Sequence, residues 1–347
     1  MNSNIPKVHK YKYFILLGAM FLPCVCAAGD DLLQCASKSD DSERLRCYDS
    51  FNAAQSKSSS AKSPEVLGSE PRSRLTQAWD LDNKEDDLLG ESQSPLRPHR
   101  ISYLIARRTS NVNFHPNSPL HAASTSPADI DFNELKFQIS QKAKVLNALK
   151  MNSFGITNLR LWGAYTQQSN WQAFNVNNSS PFRETDYEPE LILTASTGNA
   201  YGLKLINLGY VHQSNGRDLS GSRSWNRFYL QGGWENDTLS ALLRGWWRVP
   251  ESAAEDDNSD IEDYIGRAEI YLRWETLDGH QVIDLTLRNN LRSDPNRGFI
   301  QLDWATPIAV SKSAKLHIQF TSGYGESLID YNFFQTTLGL GVSFRDW

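Results

Sequence analysis

The stretch GRAEIYLRWE, residues 266–275, alternates small or apolar residues with polar ones along its whole length. In an extended strand, successive side chains point to opposite faces. The apolar residues then share one face: Gly266, Ala268, Ile270, Leu272 and Trp274. The charged residues share the other face: Arg267, Glu269, Arg273 and Glu275. The stretch is therefore predicted to be a strand that separates an apolar environment from a polar one.

The same alternation recurs over residues 99–347, where clusters of Asn, Gly, Asp, Ser and Pro separate one segment from the next. Such punctuation is typical of antiparallel strands joined by turns. We count twelve predicted strands in this region. They lie near 101–107, 134–143, 157–167, 187–197, 201–214, 224–235, 237–249, 264–276, 280–291, 298–306, 314–323 and 334–344.

Two further features favour a membrane barrel. The polar face carries charges of both signs on successive strands, which suits a lumen filled by ion pairs and hydrogen bonds. The apolar face repeats over an even number of strands with aromatic residues at their ends, as outer-membrane barrels require: Trp234, Trp246, Trp247 and Trp304. A soluble lipocalin-type barrel would bury its apolar face inward and needs only eight strands. The predicted fold is all-β, a twelve-stranded antiparallel transmembrane β-barrel with a short N-terminal periplasmic extension.

The N-terminal part of the chain predicts export. Residues 7–28 combine a basic start, an apolar centre and a small-residue end, as in a secretory signal peptide. We expect residues 1–28 to be removed, with cleavage after Ala27 or Ala28; lipidation of Cys24 or Cys26 is the weaker alternative. No later apolar run reaches the roughly 18 residues that a spanning helix needs, so a membrane location would require a barrel.

Residues 29–98 are predicted to be a periplasmic extension. Cys35 and Cys47 are expected to pair in an oxidising compartment and to staple a short helical hairpin, with two free thiols as the alternative. Residues 54–98 are rich in Ser, Lys, Asp and Pro and are interpreted as a flexible tether. The formal net charge of the 347-residue chain is −5 without a basic run, which argues against nucleic acid as a partner.

The stretch YVHQSNGRDLSGSRSWNRFYL, residues 210–230, places polar residues on the outward face. In the predicted strand 201–214, His212 and Ser214 continue the apolar series that runs through Tyr210, and Asn226 continues the apolar series of 224–235. If the hairpin is symmetric about residue 220, Asn226 lies opposite Ser214 and diagonal to His212, within side-chain reach.

Polar groups that face lipid are costly and need a reason. Each of the three alone is explained by a position at the rim of the bilayer, where polar side chains are tolerated. Together they match a catalytic triad, with Ser214 as nucleophile, His212 as general base and Asn226 orienting the imidazole. A neutral Asn also avoids the desolvation of a carboxylate near hydrocarbon.

At these residues the sequence resembles the outer-membrane phospholipase A family. Its His-x-Ser-Asn-Gly-Arg segment, followed by Ser-Arg-Ser-Trp-Asn-Arg at a fixed distance, is similar to residues 212–227. Further similar segments are WGAYTQQSNW at 162–171, SSPFRETDYEPEL at 179–191 and SGYGESLIDYNFFQT at 322–336. The resemblance covers about residues 99–347 and leaves the preceding extension without an assigned activity.

The resemblance implies a calcium-dependent phospholipase with A1 and A2 activity, which acts on the outer leaflet of the outer membrane as a homodimer. It carries the triad roles onto His212, Ser214 and Asn226, and an oxyanion role onto the N–H of Gly216. The implied calcium ligands are the main-chain oxygen of Arg217, the side chains of Ser222 and Asp257, and Ser179 of the partner subunit. Oxygen donors suit a hard cation such as Ca²⁺.

Gln167 follows the outward-facing Tyr165 on a predicted strand. A rim position would explain its amide, and a hydrogen bond across a dimer interface within the membrane is the functional interpretation, which the resemblance supports. A charged set is interpreted as filling of the lumen: Glu188, Glu190, Arg267, Glu269, Arg273 and Arg288. A non-enzymatic barrel, either a narrow pore or a structural protein, is the alternative function.

Overall fold

The computed structural model describes residues 40–47, 73–82, 96–123, 125–153, 155–178, 182–198, 202–309, 311 and 313–344. The predicted signal peptide, Cys35 and Ser179 lie outside these residues. The chain forms two compact units, Met1–Glu70 and Pro71–Trp347. In the first unit, residues 41–47 are helical and Cys47 is disulfide-bonded. Its partner lies outside the described residues, so the pairing with Cys35 stays a prediction.

The second unit is a closed antiparallel barrel, as predicted. Strands β2 to β13 each pair with the next in the chain, and β13 returns to pair with β2. The short β1 adds to the edge of β3. The strands are β1 Leu96–Pro98, β2 Ser102–Thr109, β3 Asn133–Ser153, β4 Ile156–Trp171, β5 Glu184–Ser196, β6 Leu203–Ser214, β7 Ser224–Glu235, β8 Leu239–Arg248, β9 Ala268–Glu275, β10 Val282–Asn289, β11 Gly298–Pro307, β12 Ala314–Gly323 and β13 Gln335–Phe344.

The two faces of each strand are distributed as the alternation predicts. In β9, Arg273 is 1% exposed and faces the lumen, whereas Ile270 and Trp274 are each 40% exposed on the outer surface. Arg273 pairs with Asp284 of β10 at 3.4 Å, because a charge in a confined lumen needs a partner. Among the described residues, no helix is long and apolar enough to cross a membrane.

The lumen prediction for the charged set is confirmed at five of its six members. Glu188, Glu190 and Arg273 are buried, and Glu269 and Arg288 line the same interior cavity as Glu188. Arg267 instead lies in the loop before β9, where it pairs with Glu262 at 3.3 Å.

The prediction that Trp246 belongs to the outer apolar face was wrong. Trp246 is buried on the lumen face, whereas its neighbour Trp247 faces outward, because adjacent residues of a strand point to opposite faces.

A short helix, α1 Arg74–Trp79, corrects the prediction of a flexible tether. Leu75 and Trp79 are almost completely buried, and the ammonium group of Lys142 lies 3.4 Å from the centre of the Trp79 ring. The backbone N–H of Leu75 donates to Glu235 at 2.9 Å. The tether interpretation was therefore wrong for this part of 54–98, because the apolar residues of α1 lie on one side of the helix and pack against the lumen wall.

The two ends of the barrel differ in their connections. At one end the strands are joined by short turns such as 236–238 and 276–281. At the other end they are joined by long loops: 110–132, 172–183, 215–223, 249–267, 290–297 and 324–334. Short turns face the periplasm and long loops face the exterior in outer-membrane barrels. The α1 helix lies at the short-turn end, and residues 212–226 lie at the long-loop end.

Candidate active site

The β6–β7 hairpin brings the predicted triad residues together. His212 lies directly opposite Asn226, and Ser214 lies opposite Ser224. The predicted register, with Ser214 opposite Asn226, was therefore wrong. The loop sets the register: the Asn215 side chain accepts the N–H of Arg223 at 3.0 Å and donates to the carbonyl of Gly221 at 2.8 Å. Loop geometry, rather than the symmetry of the strands, fixes pairing in a hairpin.

All three side chains of the predicted triad lie on the outer face of the barrel. His212, Ser214 and Asn226 are partly exposed, and Tyr210 and Phe228 on the same face are 39% and 50% exposed. The intervening residues face the lumen, where Val211 and Trp225 are buried. Strand parity therefore predicts the correct face for these side chains, although the observed pairing of the two strands differs from the predicted one.

Asn226 is the centre of a hydrogen-bond cluster. Its Oδ1 lies 2.9 Å from Nδ1 of His212 and accepts the Tyr210 hydroxyl at 2.8 Å. Its Nδ2 donates to Oε1 of Glu251 at 3.3 Å. Partial burial raises the pKa of the Glu251 carboxyl above its ordinary value; Arg248 opposes this rise and Asp256 adds to it.

Gly216 follows the hairpin strand in a conformation that favours glycine. Its φ is +63°, in the left-handed region. A Cβ atom at this position would lie 3.0 Å from Cε2 of Tyr187, whose strand pairs with β6 so that Tyr187 is opposite Ser214. The chain can therefore turn tightly past Tyr187 here, and the Gly216 N–H lies two residues from Ser214.

Of the predicted calcium residues, the three that the structure describes, Arg217, Ser222 and Asp257, lie on neighbouring loops at the same end. The Ser222 hydroxyl donates to Oδ2 of Asp257 at 2.5 Å, and Oδ1 of Asp257 lies 2.8 Å from Nε2 of His121. The Arg217 side chain is held by Glu184, at 2.8 Å. Among the described residues, no group of three or more His, Cys, Asp or Glu side chains is clustered for a metal. A cation here would depend on hydroxyl and main-chain oxygens beside one carboxylate, which fits the donors of a hard ion.

Gln167 lies on the outer face near the triad. Its Oε1 accepts the Tyr165 hydroxyl at 3.0 Å, and its Nε2 donates to Ser169 at 3.3 Å. Gln167 is opposite Tyr187, which is in turn opposite Ser214. With strands about 4.8 Å apart, the amide lies roughly two strand spacings from the predicted nucleophile.

Comparison with known proteins gives the family. The phospholipase A1 family model matches residues 75–344. The chain is 35% identical over 266 residues to phospholipase A1 of Escherichia coli K12, with 75% of this chain and 86% of the relative covered. The chain belongs to the phospholipase A1 family. The match begins inside α1, so this helix is part of the family domain and the predicted boundary at 99 is too late.

Solved structures of the phospholipase family share this fold. Outer membrane phospholipase A from E. coli aligns with a TM-score of 0.62 and 36% identity, covering 73% of this chain and 99% of the other. The Salmonella typhi outer membrane phospholipase, described as a dimer with bound calcium, aligns with a TM-score of 0.64 and 32% identity, covering 79% and 99%. As a member of this phospholipase family, the chain is an outer-membrane β-barrel.

Sequence reasoning missed several residues that shape the site of this family member. Glu251 and His121 reach it from loops that are distant in sequence, and nothing in their local sequence singles them out. Asn215, which is buried, lies within the quoted motif, and an Asn between a strand and a turn was an available signal for a residue that organises the loop. Tyr210 was assigned to the apolar series, although a tyrosine hydroxyl commonly finds a polar partner.

Proposed function

We propose that this chain hydrolyses acyl ester bonds of phospholipids in the outer leaflet of the outer membrane, with A1 and A2 specificity. Ser214 is the nucleophile, His212 the general base and Asn226 its orienting partner. One observation carries the proposal: Nδ1 of His212 lies 2.9 Å from Oδ1 of Asn226, on the lipid-facing surface beside Ser214. A soluble substrate would not require these residues to face outward.

The contact with Asn226 supports a specific protonation state of His212. Because Oδ1 of an amide only accepts hydrogen bonds, Nδ1 of His212 carries the proton and Nε2 keeps its lone pair. Nε2 can then take the proton of the Ser214 hydroxyl as the oxygen attacks the ester carbonyl carbon. The same proton passes to the departing lysophospholipid oxygen, which leaves an acyl group on Ser214.

Water completes the cycle by the same route. Nε2 of His212 takes a proton from water, the oxygen of the water attacks the acyl carbon, and the proton returns to Ser214 as the fatty acid leaves. Negative charge develops on the carbonyl oxygen in both steps and needs hydrogen-bond donors. The N–H of Gly216 is the proposed donor, and the left-handed backbone of Gly216 supports a tight turn beside the nucleophile.

The outward position of the triad defines how substrate arrives. A phospholipid can diffuse within the leaflet to the site, with its acyl chains along the apolar surface near Phe228 and Leu230, which are 50% and 49% exposed. The long loops at this end support the outer leaflet as the source. Hydrolysis would then act on lipids that reach this leaflet.

We assign Ca²⁺ to the loop oxygens beside the triad. The main-chain oxygen of Arg217, Oγ of Ser222 and the carboxylate of Asp257 would hold it, together with Ser179 of the partner subunit. Support comes from the 2.5 Å contact of Ser222 with Asp257 and from the Salmonella typhi relative described as a calcium-bound dimer. The ion would supply positive charge near the developing oxyanion. Gln167 is proposed to make a polar contact at the dimer interface.

The direct test is an assay of purified protein in detergent micelles on phospholipid labelled in each acyl chain. We expect release of both acyl chains with calcium and a large loss with chelator. Ser214→Ala should abolish release while its barrel still migrates as a folded species on unheated gels; Ser224→Ala, opposite Ser214 on the same hairpin, is the matched control and should stay active. Wild-type hydrolysis by Ser214→Ala would refute the proposal.

A further inference from the structure

We propose that Glu251 is a positioning residue, whose carboxylate holds the amide of Asn226 in the one orientation that suits His212 as a general base. This inference rests on the proposed function, because it matters only if His212 and Asn226 serve Ser214. Glu251 acts through Asn226 and has no role of its own on the reacting atoms.

The orientation of the Asn226 amide decides the protonation of His212. The two ends of an amide have nearly the same shape, but the oxygen accepts hydrogen bonds and the NH₂ group donates them. With Oδ1 towards His212, Nδ1 carries the proton and Nε2 can accept the Ser214 proton. With the amide reversed, Nδ1 must accept, the proton moves to Nε2, and His212 can no longer act as a base.

Two side chains besides His212 contact the amide, and only one distinguishes its ends. The Tyr210 hydroxyl donates to Oδ1 at 2.8 Å, but a hydroxyl also accepts and would satisfy the reversed amide as well. An ionised carboxylate accepts only. Glu251, with Oε1 at 3.3 Å from Nδ2, therefore favours the NH₂ group on its side and the oxygen towards His212.

Glu251 is held in place by the strand that carries Asn226. The N–H of Val249 donates to the main-chain carbonyl of Asn226 at 2.8 Å, which extends the β7–β8 pairing by one residue. Pro250 follows with its restricted φ, and Glu251 comes next. The carboxylate is partly exposed at the start of the 249–267 loop, so it remains hydrated at the rim and is not buried in hydrocarbon.

The test is the effect of Glu251→Gln on kcat and KM in two backgrounds. Glutamine has nearly the same shape but donates as well as accepts, so it no longer selects one orientation. With Asn226 present, the loss of this preference leaves about half of the molecules in the productive orientation, so we expect kcat to fall about twofold with KM unchanged. In the Asn226→Asp background both oxygens accept and Glu251 repels the new carboxylate, so Glu251→Gln should raise kcat.

The opposite direction of the kcat change in the two backgrounds distinguishes a positioning role of Glu251 from a purely structural one. A similar loss in both backgrounds, or wild-type kcat in Glu251→Gln, would overturn the inference. Complete inactivity of Asn226→Asp would also overturn it, since an acceptor at this position should serve His212. Glu255→Gln is the matched control, because Glu255 is exposed in the same loop and contacts Ser252. If Ser214→Ala is inactive while no reversal occurs, only this inference fails; if Ser214→Ala is active, the proposed function fails.

Discussion

At the residue scale, the proposed mechanism depends on the Asn226 side chain, which contacts His212, Tyr210 and Glu251. A neutral amide supplies an acceptor to His212 without exposing a charge to hydrocarbon. The one charge in the cluster, Glu251, lies outside the strands. Strand parity predicted that the triad residues face outward. It did not predict the contact between Glu251 and Asn226, because the two residues are 25 positions apart in sequence.

Asn226→Ala should lower turnover less than the loss of the nucleophile or the base. It removes one hydrogen bond to an imidazole that becomes charged, so we expect a loss of roughly 10- to 100-fold in kcat. Ser214→Ala should cost about 10⁴-fold or more. Steady-state assays of both single variants and the double variant test this. A double variant slower than Ser214→Ala by the full Asn226→Ala factor would mean that the two residues act independently.

At the element scale, the strands were predictable because every strand separates lipid from a charged lumen. The bounds of β7 and β12 match the prediction, whereas β3 extends to Ser153, ten residues beyond its predicted end at 143. The hairpin register was not predictable, because the Asn215 side chain organises the loop through contacts that strand periodicity does not encode. The α1 helix was missed because it is short and lies within a polar, Ser-rich segment.

Gly216→Ala should impair activity more than stability. An alanine in the left-handed region costs about 1–2 kcal/mol, and its Cβ would press on Tyr187 at 3.0 Å, which displaces the proposed oxyanion donor. Gly155→Ala is the matched control: its φ is +76° and it has open space around it at the opposite end of the barrel. In urea titrations both variants should show the cost of the left-handed backbone, with a larger loss for Gly216→Ala because of its contact with Tyr187, but Gly155→Ala should keep its activity. Equal activities of the two variants would argue against an oxyanion role.

Trp79→Ala tests whether α1 stabilises the barrel. The side chain is 2% exposed and stacks beneath Lys142, so its loss should lower the free energy of unfolding by about 3–5 kcal/mol. Denaturant titrations monitored by gel mobility and tryptophan fluorescence would measure this. Gln77→Ala, at an exposed position of the same helix, should have little effect. An unchanged midpoint for Trp79→Ala would mean that α1 docks without stabilising the barrel.

At the scale of the whole molecule, the outer surface carries both the proposed triad and the proposed dimer contact. Gln167, Tyr187 and Ser214 lie in one row across β4, β5 and β6. A partner subunit that covers Gln167 would therefore stand close to the nucleophile and could contribute Ser179 to the calcium site. The amphipathic strands predict the barrel and its outward site, but their alternation alone does not show which outer row faces a partner.

Calcium and dimerisation should be coupled. If Ser179 of the partner subunit completes the site, calcium binds the dimer more tightly and by linkage favours dimer formation to the same degree. Chelator should shift cross-linked protein in micelles towards monomer. Gln167→Ala should weaken the dimer by about 1 kcal/mol at constant calcium, whereas Gln77→Ala should not. Calcium-independent cross-linking would contradict the coupling, and full activity of a calcium-free monomer would show that neither is needed.

Covalent labelling of the nucleophile tests the proposed triad on the barrel exterior most directly. A sulfonyl fluoride with a long alkyl chain can reach a serine that faces lipid and reacts only with an activated hydroxyl. Mass spectrometry of the wild-type protein in micelles should locate a single adduct on Ser214, formed in proportion to the loss of hydrolysis. His212→Ala should remain unlabelled although it folds as a barrel. Inactivation with the adduct on any other residue, or labelling of Ser214 that leaves hydrolysis intact, would contradict the proposed mechanism.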